Sequence, residues 1–508
     1  MRQTVFLFLV LSITILSSTE ISIPNISGTW TKSASPYNIN CDITIPNGQL
    51  LTIEPGTEIV FQGHYRFNVQ GCINAAGSEG DSIIMRAANP ETGWMGIRFA
   101  NTPVSNPKSN ISHCIIKDGN ANLIYSSDYS GFGGGIFFQN YSKADVSNCY
   151  FTNNRASAGS AIACITSSPN ITGNVFRGNR SGYEVGSGYA TIECNVGSSP
   201  TISNNLIEKN YCIGQYYCAG AGLRLLDNSN PMIKNNIIRE NWIVSDGNLS
   251  EGTALYIHRS DPILINNLIY DNYIEPEGAH GSGGAIFFYD SYAKLINNTI
   301  KTNYAREGGA LWFKLSSPDF HNNIIRGNEA ATLEQQIFFD DDASDPNFYH
   351  NNIEGGKENF GFKYPEYTFT GAWVNNIDED PKYEDIGNGL DYNLASDSPC
   401  IDAGTLDFTA EIPLEELDLL SNERVFGQTI DMGAIESYIA SPSNLSMVKT
   451  DSAILLTWDI IPSAASYKIY SSDDPYGTFI LEDTVSSNSY QIDLNQAVKK
   501  FYYIKSSN

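Results

Sequence analysis

Basic residues are scarce in this sequence. Its 508 residues include 30 lysines and arginines against 56 aspartates and glutamates, a formal net charge of −26, and charged residues make up only 17%. This balance excludes nucleic acid as a partner, because neutralising phosphates requires a basic surface. Hydrophobic residues make up 41%, so the chain can bury a sizeable core and is not disordered.

Long hydrophobic runs are missing except at the start of the chain. Arg2 precedes an apolar run from Val5 to Leu16, and Ser17 and Ser18 follow it, the pattern of a secretory signal peptide over residues 1–18. The run is too short for a transmembrane helix, and no later stretch reaches about 18 apolar residues. We therefore expect a secreted or bacterial cell-surface protein whose mature chain has no integral membrane segment.

Helical periodicity is absent as well, which excludes helical repeats. What recurs instead is a phrase of apolar, polar, Asn, Asn, apolar, Ile or Phe, two polar residues and Asn. Its second Asn position falls, in steps of 25 to 35 that include four successive steps of 31, at Cys114, Cys149, Asn174, Asn205, Asn236, Asn267, Asn298, Asn323 and Asn352. A fixed period of this length predicts a solenoid.

A second phrase precedes each first one and alternates apolar with variable residues, as strands do. Its inward pairs are Ile136/Phe138, Ile162/Cys164, Ile192/Cys194, Leu223/Leu225, Leu255/Ile257, Ile286/Phe288, Leu311/Phe313 and Ile337/Phe339. Short strands cannot close a core alone, but stacked coils can, each paired in parallel with the next about 4.8 Å away. The predicted fold is all-β: a right-handed parallel β-helix, with repeats over 101–360 and Asn ladders at its corners, followed by a small β-sandwich.

Segments at both ends resemble those of secreted bacterial right-handed parallel β-helix repeat proteins. They are 51–61 and 93–99 at the start, and 380–383, Ile401-Asp-Ala-Gly404, Arg424 and Asp431-Met-Gly-Ala434 at the far end. The resemblance covers roughly 20–440 and implies a pectin-lyase-like fold with opening coils at 19–100 and a closing segment at 361–440. We expect the closing segment to cap the unpaired end of the stack. No activity is implied, because such folds serve lyases, hydrolases and adhesins.

Residues 441–508 resemble a fibronectin type III module. The stretches 452–458, 465–470, 478–480 and 501–504 alternate as strands do, and Trp458 and Tyr467 would fill the core of a sandwich. No last strand follows Ile504, so we predict that one of the usual seven strands is missing. Such a module is usually a spacer or attachment unit.

Outward aromatic columns support the first functional hypothesis, which is a binding or structural role towards glycans or other surface partners. One column comprises Tyr256, Phe287, Tyr289, Trp312 and Phe338, and the other comprises Tyr211, Trp242, Tyr273 and Tyr304 at intervals of 31. Flat side chains about 5 Å apart suit stacking against sugars. The alternative is that loops or the closing segment cover them.

A second hypothesis is a polysaccharide lyase or glycoside hydrolase acting in the outward strand groove around Glu193, Arg224, His258 and Lys314. A lyase needs a basic side chain near the sugar, and a hydrolase needs two carboxylates. No outward column holds stacked carboxylates, so an ion pair between Glu193 and Arg224 and ordinary surface charges are the simpler interpretation. We therefore favour a non-enzymatic role.

Acidic residues cluster at Asp340, Asp341 and Asp342, with Asp345 close behind. Calcium takes several oxygen ligands and would relieve their repulsion, so Ca²⁺ is the one cofactor considered. The spacing matches no EF-hand loop, and a solvated acidic turn explains it equally.

Nine cysteines are too few for a disulfide-dependent fold. Cys212 and Cys218 share one insertion, and we predict a disulfide between them. Equivalent repeat positions hold Cys114 with Cys149 and Cys164 with Cys194. Both pairs would lie within disulfide range, but Cys164 and Cys194, which are predicted to face inward, can equally remain as small apolar thiols.

Overall fold

The computed structural model describes residues 18–121, 129–183, 186–245, 249–275, 281–331, 336–384, 392–395 and 397–437, and much of 442–507 with short gaps. The predicted signal peptide falls almost entirely on residues 1–17, outside the described residues. The chain divides into two compact units. Unit 1 contains Met1–Ser229 and Trp242–Asn248, and unit 2 contains Asn230–Asn241 and Leu249–Asn508.

Each unit contains three parallel sheets through which the chain passes in turn. In unit 1, sheet 1 has the strands Thr19–Ile21, Tyr37–Ile39, Glu58–Phe61, Ile83–Ala87, Cys114–Lys117, Tyr150–Thr152, Val175–Arg177 and Leu206–Glu208. Sheet 2 has Ile43–Ile45, Phe67–Val69, Ile97–Ala100, Ile136–Gln139, Ile162–Ile165, Ile192–Asn195 and Leu223–Leu226. Sheet 3 has Gly28–Trp30, Leu50–Ile53, Cys72–Ala76, Ser109–Ser112, Ala144–Ser147, Asn170–Thr172 and Thr201–Ser203.

Unit 2 repeats this plan. Sheet 1 has Ile237–Arg239, Leu268–Tyr270, Thr299–Lys301, Ile324–Arg326 and Asn352–Ile353. Sheet 2 has Leu255–His258, Ile286–Tyr289, Leu311–Lys314, Ile337–Phe339 and Gly361–Phe362. Sheet 3 has Met232–Lys234, Ile263–Ile265, Lys294–Ile296, Asp319–His321, Asn347–Tyr349 and Trp373–Val374.

The insertions between sheets 1 and 2 add short parallel strands. Next to sheet 1 these are Arg155–Ala156, Arg180–Ser181, Tyr211–Gly214 and Trp242–Ser245 in unit 1, and Tyr273–Ile274, Tyr304–Ala305 and Glu329–Ala330 in unit 2. A second set of insertion strands follows in the chain, just before sheet 2: Ser187–Tyr189 and Tyr217–Ala219 in unit 1, and Leu249–Glu251 and Gly281–Ser282 in unit 2. Three short 3₁₀ helices are described, at Lys32–Ala34, Lys357–Asn359 and Asp407–Ala410.

Parallel pairing in register confirms the stacked coils. In unit 1, Ile162 pairs with Ile192 and Cys164 with Cys194. In unit 2, Phe288 pairs with Phe313. Inward side chains of both units are fully buried, as the period-two pattern predicts. Within the described ranges, no helix is long and apolar enough to cross a membrane.

Asparagine ladders follow the corners, as predicted. The Asn267 backbone N–H and Nδ2 both donate to Asn298 Oδ1, at 3.0 and 2.9 Å. The residue before each ladder position takes the left-handed backbone that asparagine tolerates, for example Asn297 at φ 53°. One register assignment was wrong: Asn323 pairs with Asn351, not Asn352. His350 at φ 55° occupies the left-handed corner there in place of an asparagine, so the ladder residue is Asn351, the first asparagine of the pair.

The closing segment of unit 2 has two different parts. Beyond the last coils, aromatic rings of 360–373 cluster with Phe339 and Phe348, with ring centroids 5.1 to 6.3 Å apart. Residues 397–437, called the flank segment below, do not cap the end as expected. They lie along the side of the unit, because hydrogen bonds join them to successive coils at Asn266, Asn297 and Asn322.

The C-terminal residues form two antiparallel three-stranded sheets. One has Ser446–Lys449, Ala453–Thr457 and Ser489–Asp493, and the other has Ile480–Val485, Ser466–Ser472 and Phe501–Ser507. A single apolar cluster includes Trp458 and Tyr467, as predicted for the module core. Six strands are described here, and the identification as a fibronectin type III module stays a prediction. A separate antiparallel pair joins Tyr383–Glu384 to Asn393–Leu394.

Candidate functional site

Glu193 and Arg224, two of the residues predicted for an enzymatic groove, form a buried ion pair in unit 1. Their strands pair in register. Arg224 Nε donates to Glu193 Oε2 and Nη2 to Oε1, both at 2.8 Å, and the guanidinium carbon lies 3.6 Å from the ring centroid of Tyr189. Glu193 is 0% exposed. Neither side chain can touch a polymer, so the predicted catalytic role is wrong, and the ion-pair interpretation is confirmed.

The two partners titrate in ways that follow from this burial. Loss of solvent raises the pKa of Glu193, and the adjacent Arg224 only partly offsets it. Burial alone would lower the pKa of Arg224, but the Glu193 carboxylate outweighs burial and leaves that pKa raised. The bidentate contact indicates that both groups are charged in the folded protein.

His258 and Lys314, the other two candidates, meet around one ring of unit 2. The His258 and Tyr289 rings stack with centroids 4.4 Å apart, and Lys314 Nζ lies 5.1 Å from the centroid of Tyr289. Lys314 Nζ is also 3.4 Å from Asp340 Oδ2. Lys314 is therefore an ion-pairing surface charge, as the simpler interpretation predicted.

The proposed calcium ligands have other partners. Besides the contact with Lys314, Asp340 pairs with Lys363, whose Nζ lies 2.6 Å from Asp340 Oδ1. Asp341 accepts hydrogen bonds from the backbone of Leu315 and from the Ser344 hydroxyl, as a turn-forming carboxylate does. Asp342 is exposed. Over the described ranges, no group of three or more His, Cys, Asp or Glu side chains is arranged to hold a metal ion.

The column of aromatic residues on sheet 2 is not an accessible surface. Tyr256, Phe287, Trp312 and Phe338 stack in sequence, but all four are at most 6% exposed. Glycine-rich turns lie against the column: a Cβ added at Gly283 would sit 3.3 Å from the Cβ atoms of both Phe287 and Trp312. The prediction of an open ligand surface here is therefore wrong. Tyr289, in the next outward column, remains half-buried.

The second aromatic column is confirmed within each unit, and its Tyr211 and Trp242 rings cover each other's faces. Tyr211 and Trp242 stack 4.9 Å apart at 12°, and Tyr273 pairs in register with Tyr304. Tyr273 is 38% exposed and the others are half-buried. Where rings stack along the coil axis they cover each other's faces and leave mainly their edges to solvent. A sugar, which stacks on faces, gains little from such a ladder.

All nine cysteines are free thiols in this structure, so the predicted Cys212–Cys218 disulfide is not present. The two side chains nevertheless interact: a hydrogen bond with Cys212, and then burial, raises the pKa of Cys218. The pairs Cys114/Cys149 and Cys164/Cys194 likewise interact as buried thiols, and the pKa values of Cys114 and Cys194 are raised. Cys164 and Cys194 lie inward and pack as small hydrophobic groups. The thiols of Cys114 and Cys149 donate to backbone carbonyls instead.

We expect a thiol reagent to detect this arrangement. Only Cys41 is partly exposed and the other eight are buried, so the native protein should react at about one thiol per chain. All nine should react in denaturant without reductant. A count of seven in denaturant would instead show one disulfide, and mass spectrometry of the peptides would identify it.

A cleft in unit 2 brings together side chains that none of these candidates includes. Its volume of about 340 Å³ is typical of a small ligand site. The outer face of sheet 3 and its corners form one wall, with Lys294, Ile296, Asp319, His321, Tyr349, His350, Val374 and Asn375. The flank segment forms the other, with Thr405, Asp407, Phe408, Ala410, Glu411 and Ile412.

Strand register places His321 at the centre of this cleft. His321 lies between Ile296 and Tyr349 in one outward column, and its ring stacks on Tyr349 with centroids 4.8 Å apart. On the open side the Phe408 ring lies 5.9 Å away. His321 Nδ1 is buried and, among the described residues, has no hydrogen-bond partner. Burial lowers the pKa of His321, so the imidazole is neutral at pH 7 and can accept a proton or a hydrogen bond.

Charges of both signs line the cleft with His321. Burial lowers the pKa of His321, Asp319 opposes burial, Lys294 acts with it, and Glu411 and Asp407 oppose it. Glu411 is paired with Lys294, which holds the pKa of Glu411 below its ordinary value. His350 differs from His321 because both its nitrogens are engaged: Nδ1 with the Ala403 carbonyl at 3.1 Å and Nε2 with Asn375 at 3.0 Å.

The flank segment is held against the coils by apolar and polar contacts. Phe408, Ile412 and Ile430 pack on Ile265 and Ile296. Arg424, buried within the segment, donates through Nη2 to the carbonyls of Asp431 and Gly433, at 2.9 and 2.8 Å. Arg424 therefore holds the turn that contains Asp431 and Gly433 in place from within the segment.

The catalytic residues and the first aromatic column predicted from the sequence lie at outward positions of sheet 2, whereas this cleft is lined by outward positions of sheet 3. The same alternation applied to the Asn-containing phrase places Lys294, Asp319 and His321 outward on neighbouring coils. The alternation therefore predicts the wall formed by sheet 3. It does not predict the wall formed by the flank segment, because nothing local in the sequence places Phe408 opposite His321.

Comparisons with known proteins bear on the fold. Residues 93–249 and 216–376 match the family described as right handed beta helix region, together more than half of the chain. None of the curated proteins matches. Among solved structures, the chain is similar to a PL6 family alginate lyase, AlyGC, with 14% identity and a TM-score of 0.27 over 66% of this chain. The match spans about half, 52%, of that lyase chain. By its stacked parallel coils and by the family match, the chain belongs to the right-handed β-helix family.

Proposed function

We propose that this protein is an exported β-helix protein that binds a carbohydrate in the cleft between sheet 3 and the flank segment of unit 2. The observation that carries the proposal is His321 Nδ1, a ring nitrogen that is buried at the cleft and lacks a hydrogen-bond partner among the described residues. Leaving such an atom unpaired costs about 1–3 kcal/mol, which a donor on a ligand would recover.

The chemistry of the walls supports a sugar in particular. The cleft offers mainly acceptors, namely the His321 imidazole and the carboxylates of Asp319, Asp407 and Glu411. A ligand that satisfies them must be rich in donors, as sugar hydroxyls are. The Tyr349 and Phe408 rings add the apolar surface that small-ligand sites combine with a few polar groups.

Two further parts of the proposal rest on sequence. Residues 1–18 support export to the exterior or to the bacterial cell surface, and the C-terminal strands support an attachment module of the fibronectin type III kind. Both agree with a protein that meets polysaccharides outside the cell.

Calorimetric titration of the full chain with a panel of oligosaccharides tests the binding role. We expect at least one to bind, and we expect His321→Phe to weaken it about five- to tenfold, since a neutral hydrogen bond contributes about 1 kcal/mol. Phenylalanine keeps a ring to stack on Tyr349 while removing both nitrogens. The control is His113→Asn, at a left-handed corner of unit 1 (φ 49°) where asparagine is tolerated. Absence of binding across the panel, or equal binding by His321→Phe, would contradict the proposal.

Catalysis in the same cleft is a second candidate function. It is favoured by the lowered pKa of His321, because a neutral imidazole beside carboxylates is suited to general base chemistry. The same panel, assayed for new reducing ends and unsaturated products, distinguishes a hydrolase or a lyase from a protein that only binds.

A further inference from the structure

We infer that the ligand of this cleft carries a protonated amine, so that within the proposed carbohydrate role the favoured sugars are glucosamine-type amino sugars and not uronic acids. The inference rests on the proposed function for its location and on charge for its content. It follows from which carboxylates of the cleft have a cationic partner and which do not.

One carboxylate of the cleft is already neutralised. Glu411 pairs with Lys294, the one basic side chain among the lining residues apart from the histidines. His321 is neutral at pH 7, and His350 has both ring nitrogens in hydrogen bonds. The positive charge of the cleft walls is therefore neutralised by the ion pair between Lys294 and Glu411.

Two carboxylates form no ion pair among the described residues, and Lys294, the register neighbour of Asp319, contacts Glu411 instead. Asp319 accepts only the Asn347 amide, at 2.9 Å, and Asp407 has no basic partner, in both cases among the residues that the structure describes. Asp319, Asp407 and Glu411 line the same cleft as His321. Three carboxylates and one ammonium give the cleft a charge of about −2 at pH 7.

Charge of this sign selects among donor-rich ligands. A uronate would bring a further negative charge into a cleft with two uncompensated carboxylates, on a chain whose net charge is −26. A neutral sugar would satisfy hydrogen bonds but not the charge. An amino sugar satisfies both, because its ammonium can pair with Asp319 or Asp407 while a hydroxyl bonds to His321 Nδ1.

The test compares three trimers of similar size by calorimetric titration at pH 6.5, below the pKa of an ordinary amine. They are a glucosamine trimer, its fully N-acetylated neutral counterpart and a uronate trimer. We expect the glucosamine trimer to bind at least about tenfold more tightly than the acetylated one, and its affinity to fall as salt is raised. The uronate trimer should bind the most weakly.

Two variants locate the amine. Asp407→Asn, at the rim, and Asp319→Asn should each weaken the glucosamine trimer about tenfold and leave the acetylated trimer within about twofold. The control Glu358→Gln, an exposed carboxylate outside the cleft, should change neither.

Binding of the acetylated or uronate trimer as tightly as the glucosamine trimer overturns the amine inference and leaves carbohydrate binding standing. Glucosamine binding that neither variant affects overturns it as well. Failure of every trimer and of the wider panel overturns the proposed function.

Discussion

Replacing Glu193 with glutamine is expected to lower the free energy of unfolding of this protein by about 3–5 kcal/mol. The change leaves the Arg224 guanidinium, 7% exposed and stacked on Tyr189, without its counter-charge. A buried charge that loses its partner bears the full cost of desolvation. Denaturant unfolding of the variant beside the parent protein measures the difference.

Two controls separate burial from the mere presence of an ion pair. Asp81→Asn breaks the exposed contact with Lys32 and should cost less than about 1 kcal/mol. The double variant Glu193→Leu with Arg224→Met removes both charges and should recover most of the lost stability, since apolar replacement of a whole buried pair is often neutral. A small effect of Glu193→Gln, or a double variant worse than the single one, would contradict the account.

Raising the pH from 5 to 9 is expected to loosen the flank segment. Burial raises the pKa of Asp431 to about 6 and that of Glu436 to about 8, and Asp402, Asp418 and Arg424 face them in the same cluster. The folded segment therefore holds protons that the unfolded chain releases near pH 4, so the contribution of these two groups to stability is complete below pH 4 and is lost as pH rises through 6 and 8. Each pKa unit corresponds to about 1.4 kcal/mol, which predicts a loss on the order of a few kcal/mol.

The effect is measured between pH 5 and pH 9 by limited proteolysis within residues 397–437 and by thermal unfolding. Glu436→Gln should be less stable at pH 5, because both side-chain oxygens of Glu436 accept backbone N–H groups, from Phe426 and Asp431, and an amide nitrogen cannot accept. Its stability should also change less with pH than that of the parent. The comparison isolates Glu436 from His321, whose lowered pKa works in the opposite direction. Identical pH profiles for the two proteins would contradict the role assigned to Glu436.

The β-helix was predictable because its information is local and repeated. A parallel strand pair needs apolar side chains at matching positions one coil apart, and Ile162 with Ile192, or Phe288 with Phe313, meets that need by spacing alone. The corner asparagines were predictable for the same reason, since each bonds to its equivalent in the next coil. The one-residue error at Asn351 arose because His350 replaced asparagine at the left-handed corner, which hid the register.

Exposure was not predictable from alternation. An outward position on a strand says which face a side chain lies on but not whether another segment covers that face. Glu193 and Phe287 are outward and buried, because insertion strands and glycine turns lie over sheet 2. The sites predicted there failed for this physical reason, although the residues were correctly placed on the outer face.

The amino-acid sequence by itself determined the coil period, the parallel register, the inward core and the ladders, because these depend on contacts between equivalent residues of neighbouring coils. Only the tertiary structure decided which outward side chains reach solvent and where a cleft exists. Asn322 bonds to Thr405, 83 residues away, and Lys294 to Glu411, 117 residues away. Contacts that join dissimilar segments over such separations have no period, so no pattern in the sequence announces them.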